Sequence, residues 1–382
     1  MRKVRLGWNG VRPEAEEAVL EVLYSGQFSP GKKVREFEEK FASLHQVPHA
    51  IFVNSGTDAL RCGLMAMKEK FKWRDGQYVA VTTQTFVASV NVILQCGLRP
   101  YFYDCGNSWN LERRVDTEAQ KPDIAAVMPV HVFGRPSDAH IYELADERGW
   151  KVIEDSCETI LNKPKGIVSC HSTYMAHHVT TGVGGVALTR DDDLMLLIRS
   201  YANHGRNVSY LPGFANEGDL TKRFRFDRIG YSSRGTEFEA ALGLSQLDHI
   251  AENVAERRQV AQKLSNVLLK WWDNFFWDEP ELSPGHTYMA FPICAKAGFP
   301  SFDKYGFCRS LEKKGIETRD ALMITNQPCY ADLVLEGDYP ESARWNQYGF
   351  YLPCHPGMTD DDIITIRDCF RGLVVDKSRK VA

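Results

Sequence analysis

Short runs rich in β-branched and aromatic residues recur through the first half of this chain, at 50–53, 78–82, 99–104, 124–130, 151–154 and 185–189. Helical periodicity lies between them, as in Leu60, Leu64, Met65 and Met67, and later in Leu194, Leu197 and Ile198. Strands that alternate with helices predict a largely parallel sheet covered by helices on both faces. Ligands of such a sheet gather at the carboxyl ends of its strands, so the residues just after each run are where chemistry is expected.

Either side of this core the pattern changes. Pro13 suits a first helical turn, and Ala15, Ala18, Val19, Val22 and Leu23 continue a helix that ends near Ser25-Gly26. After Leu247 the periodicity is that of a long helix to about Trp272, charged on one side. Strands are predicted around 286–294 and 315–318, and Asp360-Asp361-Asp362 opens a final helix. The 382 residues exceed the usual size of a single core. The expectation is a large α/β domain over 1–250 and a smaller C-terminal α+β domain over 251–382, with no repeat or low-complexity tract between them.

Charge and cysteine usage exclude several function classes. Forty-six basic against fifty acidic side chains give a net charge of -4, which argues against nucleic-acid or membrane-surface binding. No apolar run reaches the roughly 20 residues needed to span a bilayer, and Met1-Arg-Lys-Val-Arg5 lacks the apolar stretch of a secretory signal. A cytoplasmic location is expected. The ten cysteines never come closer together in sequence than nine residues, so no metal or iron–sulfur motif is predicted.

Two segments carry the strongest chemical signal. Asn54-Ser-Gly-Thr-Asp-Ala-Leu60 follows a predicted strand and opens a predicted helix, where backbone N–H groups and hydroxyls form a natural phosphate site; taken alone it is equally a common helix cap. Ser172-Thr-Tyr-Met-Ala-His-His-Val-Thr-Thr-Gly-Val-Gly-Gly185 puts a His-His pair before a glycine-rich run. Read in isolation, such a pair is an ordinary polar loop.

Together these segments resemble the DegT/DnrJ family of pyridoxal-phosphate sugar aminotransferases and dehydratases. The family pattern has a lysine five residues after the serine and five before the first glycine. Counting from Ser172 and from Gly182 lands both times on His177. An imidazole carries protons but cannot bond the cofactor aldehyde as that lysine does. The same exchange marks the family's 3-dehydratases of nucleotide-linked 4-keto-6-deoxy sugars, and the absence of cysteine between His178 and Ala290 points to the branch without an iron–sulfur cluster, whose member acts on GDP-4-keto-6-deoxymannose.

The resemblance implies fold type I of the pyridoxal-phosphate enzymes, with a mixed, mostly parallel seven-stranded sheet flanked by helices and a smaller C-terminal α+β domain. It implies pyridoxal or pyridoxamine phosphate as cofactor, and a homodimer sharing its active sites. Carried over by position, Gly56, Thr57 and Ser172 meet the cofactor phosphate, Phe86 stacks on the pyridine ring, and Asp155 pairs with the ring nitrogen. Glu158 stands where a Gln or His often lies near the cofactor 3-hydroxyl, and His178 has a packing or orienting role.

Two positions depart from the pattern: Val183 replaces a common glutamate, and Ser232 replaces an asparagine that reaches the neighbouring subunit's phosphate. The reaction implied is loss of the C3 hydroxyl from a 4-keto-6-deoxyhexose, with His177 as base and glutamate as amino donor. The alternatives are a C4 aminotransferase, or a cofactor-binding protein without chemistry. Arg223, Arg225, Arg228 and His204 are candidates for a substrate diphosphate or plain surface charges, and Lys163 and Lys165 are expected to be solvated.

Overall fold

A computed structural model describes residues 3–8, 13–106, 109–111, 123–207, 224–277, 283–296, 302–321, 324–333 and 339–378. The main sheet contains β1 (His49–Val53), β2 (Tyr78–Thr82), β3 (Arg99–Tyr103), β4 (Ile124–Met128), β5 (Lys151–Asp155), β6 (Val168–Ser172) and β7 (Gly185–Thr189). Its order is β1-β7-β6-β5-β4-β2-β3. β7 is antiparallel to both neighbours, and the pairs among β2 to β6 are parallel. The expected mixed, mostly parallel α/β sheet is therefore present. β6 is a strand that periodicity did not single out. Its Val-Ser-Cys-His-Ser sequence puts polar side chains in a buried position, so alternation was no guide. The run expected at 124–130 stops at Met128, and Val130 makes only an isolated bridge to Asp155.

Helices α1 (Pro13–Ser25), α2 (Lys32–Leu44), α3 (Gly56–Lys70), α4 (Val87–Gln95), α5 (Ala139–Arg148), α6 (Asp192–Ala202) and α7 (Glu237–Leu247) accompany this sheet. α2 buries Val34, Phe37 and Phe41 as one apolar stripe, and a buried Phe contributes roughly 1.5–3 kcal/mol. Glu237, at the start of α7, accepts the N–H groups of Gly31, Lys33 and Val34 at 2.8–2.9 Å. A carboxylate from a distant part of the chain thus caps the start of α2, where a helix favours negative charge.

The second sheet holds β8 (Phe275–Phe276), β9 (Ala290–Ala295), β10 (Arg319–Asp320) and β11 (Gly349–Pro353), in the order β10-β11-β9-β8 and antiparallel throughout. α8 (Ile250–Leu268), α9 (Lys304–Lys313), α10 (Pro340–Tyr348) and α11 (Asp360–Ser378) accompany it. The long helix predicted after Leu247 to about Trp272 is α8, which starts at Ile250, ends at Leu268 and runs on into a 3₁₀ turn over Leu269–Trp271. Leu264, Leu268, Phe291, Ile293, Phe350 and Ile366 form a core of their own. Among the described residues no helix is long and apolar enough to cross a membrane, and no group of three or more His, Cys, Asp or Glu is placed to hold a metal ion.

Candidate active site

The carboxyl ends of β1, β2, β4, β5 and β6 and the start of β7 surround a cavity of about 570 Å³. It collects Gly56, Thr57, Phe86, Asp155, Glu158, Ser172 and His177, seven of the eight residues singled out in the sequence. The eighth, Ser232, lies outside it. Ser232 is exposed, bridges Asn203 through its backbone and accepts the Arg234 Nη2–H at 3.0 Å.

One end of the cavity is backbone. α3 begins here, with Ser55 Oγ accepting the Asp58 N–H at 3.1 Å as its cap. The N–H groups of Gly56 and Thr57 at such a helix start have no carbonyl within the helix to reach and point toward anions. A Cβ on Gly56 would sit 2.8 Å from both Ser172 Cβ and Cys157 Sγ, so only glycine lets the helix start so close to β5 and β6. Gly185 is pinned in the same way: it pairs with Val53 on one side and Ser172 on the other, and a Cβ there would run into the Ser55–Gly56 backbone. Gly182 adopts a left-handed φ of +87°, a conformation that favours glycine. The glycines of the Thr180–Gly185 run therefore bring three chain segments together around the helix start.

The floor is acidic. Asp155, buried at the end of β5, accepts the Ser89 Oγ–H at 2.6 Å and the Cys157 N–H at 3.2 Å. Ser89 in turn contacts Thr85 Oγ1 at 2.7 Å. Glu158 accepts the Phe133 N–H at 2.5 Å, and burial, reinforced by the Asp155 charge, lifts its carboxyl to about 7. Phe86 is 54% exposed and lines the cavity wall.

The reactive end is an imidazole. His177 Nδ1 lies 2.5 Å from the Cys157 carbonyl. A carbonyl only accepts, so Nδ1 carries the proton and Nε2 keeps its lone pair. Burial pushes the imidazolium down to about 4, so the ring is neutral at pH 7. His178 turns elsewhere. Its Nε2–H donates to the Thr287 carbonyl at 3.1 Å, and its Nδ1 is buried without a partner.

Several lining groups escaped the sequence reading. Cys157 supplies the carbonyl that orients His177, and Ser89 holds Asp155; both sit inside segments already noted, but their roles are backbone and packing facts. Met289, Arg319 and Tyr351 enter from the second sheet, far away in sequence, and no local pattern announces them. Val183, half exposed, lines the cavity rim. The proposed diphosphate cluster is not assembled at the cavity: Arg225 pairs with Asp227 at 2.9 Å, Arg228 with Glu69 at 3.0 Å, and His204 is exposed elsewhere. Arg223 lies outside the described residues. Lys163 and Lys165 are also away from the cavity, with the Lys165 ammonium 4.8 Å from the Tyr142 ring centroid.

The donor set fits a phosphorylated pyridine: helix N–H groups and Ser172 for the phosphate, a buried carboxylate for the ring nitrogen, and an exposed aromatic ring. The sequence pattern of the DegT/DnrJ/EryC1/StrS aminotransferase family matches residues 10–371. The GDP-perosamine synthase of Caulobacter vibrioides is 30% identical over 345 residues, covering 88% of each chain. The Helicobacter pylori aminotransferase PseC, involved in the biosynthesis of pseudoaminic acid, superposes with a TM-score of 0.86 at 24% identity over 96% of this chain and 98% of that one. The E. coli GDP-4-keto-6-deoxy-D-mannose-3-dehydratase with bound hydrated PLP gives 0.87 at 21% identity over 97% and 99%.

Proposed function

The chain belongs to the DegT/DnrJ/EryC1/StrS aminotransferase family of pyridoxal-phosphate-dependent, sugar-modifying enzymes, and from that premise we propose that it removes the C3 hydroxyl of a nucleotide-linked 4-keto-6-deoxyhexose, with pyridoxamine phosphate as cofactor and glutamate as amino donor. One observation carries this reading. The position of the family lysine is His177, and no lysine lines the cavity among the described residues.

Bound pyridoxamine phosphate supplies an amine for the sugar ketone and a ring that draws electrons from the carbons next to it. The protein's part is to hold groups and move protons. Ser172 with the N–H groups of Gly56 and Thr57 binds the phosphate. Asp155, kept in place by Ser89, retains a proton on the pyridine nitrogen. Phe86 covers one ring face. Cys157 fixes the His177 tautomer, so Nε2 is the atom that takes up a proton on the cavity side and delivers one to the departing C3 oxygen. A histidine in this role leaves the amine form of the cofactor uncontested, whereas a lysine would compete for the aldehyde. Glu158, whose carboxyl burial lifts to about 7 and which is therefore about half protonated at neutral pH, is placed to help hold the ligand amine or hydroxyl.

Incubation of the protein with cofactor, glutamate and a panel of 4-keto-6-deoxy nucleotide sugars is expected to give a product lacking the C3 oxygen by mass analysis. Retention of that oxygen beside a new C4 amine overturns the reading. That outcome is the second reading, a C4 aminotransferase, and what favours it is the 30% identity to a GDP-perosamine synthase. A sugar left unchanged by cofactor-bound protein favours a silent homologue.

We also infer a homodimer with shared sites. Ile229 and Phe224 are 92% and 77% exposed close in sequence to Ser232, the position whose asparagine in the family reaches the neighbouring subunit, and a second copy covering this segment would bury them. A monomer by light scattering at micromolar concentration overturns it.

A further inference from the structure

The rim of the cavity carries two half-exposed side chains that the proton transfer proposed above does not use, Tyr174 at 47% and Val183 at 51%. They stand across from each other. Beyond Ser172 and Gly185, the last register pair of β6 and β7, the antiparallel pairing goes on: the Thr173 N–H donates to the Gly184 carbonyl at 2.9 Å and the Met175 N–H to the Gly182 carbonyl at 3.2 Å. Tyr174 and Val183 are the pair between these two bonds, the kind in which opposite side chains come closest. Apolar residues exposed singly are ordinary, but two that pair at the edge of a cavity form a surface for a ligand.

This lip stands beside the base. The Tyr174 ring centroid lies 6.2 Å from that of His177 at an interplanar angle of 73°, and the His177 N–H donates to the Tyr174 carbonyl at 2.9 Å. Val183 brings no hydrogen-bonding side-chain group to the rim, where the family pattern has a glutamate. On the function proposed above, on which this inference rests, His177 works next to C3 and C4 of the sugar. C5 lies on the other side of C4, and the methyl group it carries is the one apolar substituent of the ring; the nucleotide leaves from C1, across the ring. A hydroxyl held against Val183 loses water without gaining a partner, whereas a methyl group has no hydrogen bond to lose. We propose that Tyr174 and Val183 are specificity-determining residues, which select the 6-deoxy sugar by packing on its C6 methyl group.

The other walls are polar where the lip is not. Asp155 and Glu158 line the floor, and Arg319 and Tyr351, register partners on β10 and β11, enter from the second sheet. The hydroxyls and the diphosphate of the substrate therefore have partners away from Val183. The backbone under the lip is held independently of the Val183 side chain: the Thr181 hydroxyl donates to the Val183 carbonyl at 2.6 Å, and Gly182 and Gly184 adopt φ values of +87° and +155°. Exchanges at position 183 thus change the rim and leave its backbone in place.

The test is calorimetric titration of protein loaded with pyridoxamine phosphate, using pairs of nucleotide sugars that differ only at C6: GDP-D-mannose and GDP-D-rhamnose, dTDP-glucose and dTDP-6-deoxyglucose, CDP-glucose and CDP-6-deoxyglucose. All carry a hydroxyl at C4, so none turns over. In the pair whose nucleotide the protein accepts, the 6-deoxy member is expected to bind about tenfold tighter, and Val183→Thr, Val183→Glu and Tyr174→Ala are each expected to cut that preference to about threefold or less. Affinity for the nucleoside diphosphate alone is expected to stay unchanged in the same variants. A preference that is missing from the wild type, or intact in both Val183 variants, overturns the proposal. So does a loss of affinity for the nucleoside diphosphate alone with the preference intact, which assigns the lip to the nucleotide. If Tyr174→Ala does not fold, the two Val183 variants decide. Binding of no pair overturns the nucleotide-sugar reading together with the lip, whereas equal binding of both members overturns the lip and leaves that reading standing.

Discussion

The two ends of the cavity are built on different principles. At the end where α3 begins, the ligand-facing groups are backbone N–H donors and a serine, and their placement is enforced by Gly56 and Gly185, where any side chain would strike another segment. At the other end stands a single imidazole, whose state is set first by burial and by a carbonyl. The first end is over-determined by sterics. On the proposed function the second is tunable, because one side chain and its proton would decide which reaction follows.

This contrast is breakable in order of severity. Gly56→Ala forces a Cβ to 2.8 Å from two neighbours, so cofactor affinity is expected to fall by roughly a hundredfold or more, about 3 kcal/mol of lost cradle geometry; equilibrium dialysis with pyridoxamine phosphate measures it. Unchanged affinity would mean that the phosphate lies elsewhere. His177→Asn keeps the cradle intact, so binding is expected to survive while turnover drops by about 10²–10⁴, the usual worth of a positioned base. His177→Lys is expected to gain a visible absorption band from a covalent link to the aldehyde and to lose dehydration. A flat spectrum would place position 177 away from the reactive carbon.

Glu158 gives a smaller, pH-dependent effect. Its folded value, about 7, lies above the ordinary carboxyl value of 4.5. The stability it contributes is therefore complete below pH 4.5 and lost as pH rises through 7. Glu158→Gln is expected to flatten that loss in thermal melts taken from pH 5 to 8. A melting profile as steep as wild type would reassign it to another group.

The mildest effect concerns histidines outside the cavity. His45 packs on His171 with ring centroids 4.7 Å apart, and burial pushes its imidazolium down to about 4 from 6.5. Its contribution is present above pH 6.5 and lost as pH falls through 4, up to about 3 kcal/mol for one such shift. His45→Phe is expected to reduce the acid-induced loss of stability between pH 6.5 and 4 without touching cofactor binding. Equal acid sensitivity in the variant would assign the loss to His171, His177 and His178.

Much of the scaffold was legible because it repeats. Alternating strands and helices announced the sheet, and Pro13, Ser55 and Asp360 marked helix starts through local chemistry. β6 was not legible, since a strand covered on both faces with serine, cysteine and histidine has no alternation to read. The long helix after Leu247 was legible, and only its end was not, since the periodicity runs on through the 3₁₀ turn over Leu269–Trp271. His177 was found through its spacing from Ser172 and Gly182, and the other cavity residues by their positions in the family resemblance. Ser232, carried over from the resemblance in the same way, does not line the cavity of its own chain.

What the sequence by itself determined is the inventory: a parallel α/β core, glycines where chains must nearly touch, and histidine in place of an amine at one counted position. Those properties reside in single residues and short periods, so they survive without coordinates. What only the tertiary structure decided is the state of that histidine. Its tautomer depends on the Cys157 carbonyl and its neutrality on burial. Each is a contact between distant segments, and electrostatic free energy depends on distance and local solvent exclusion, which no linear pattern carries.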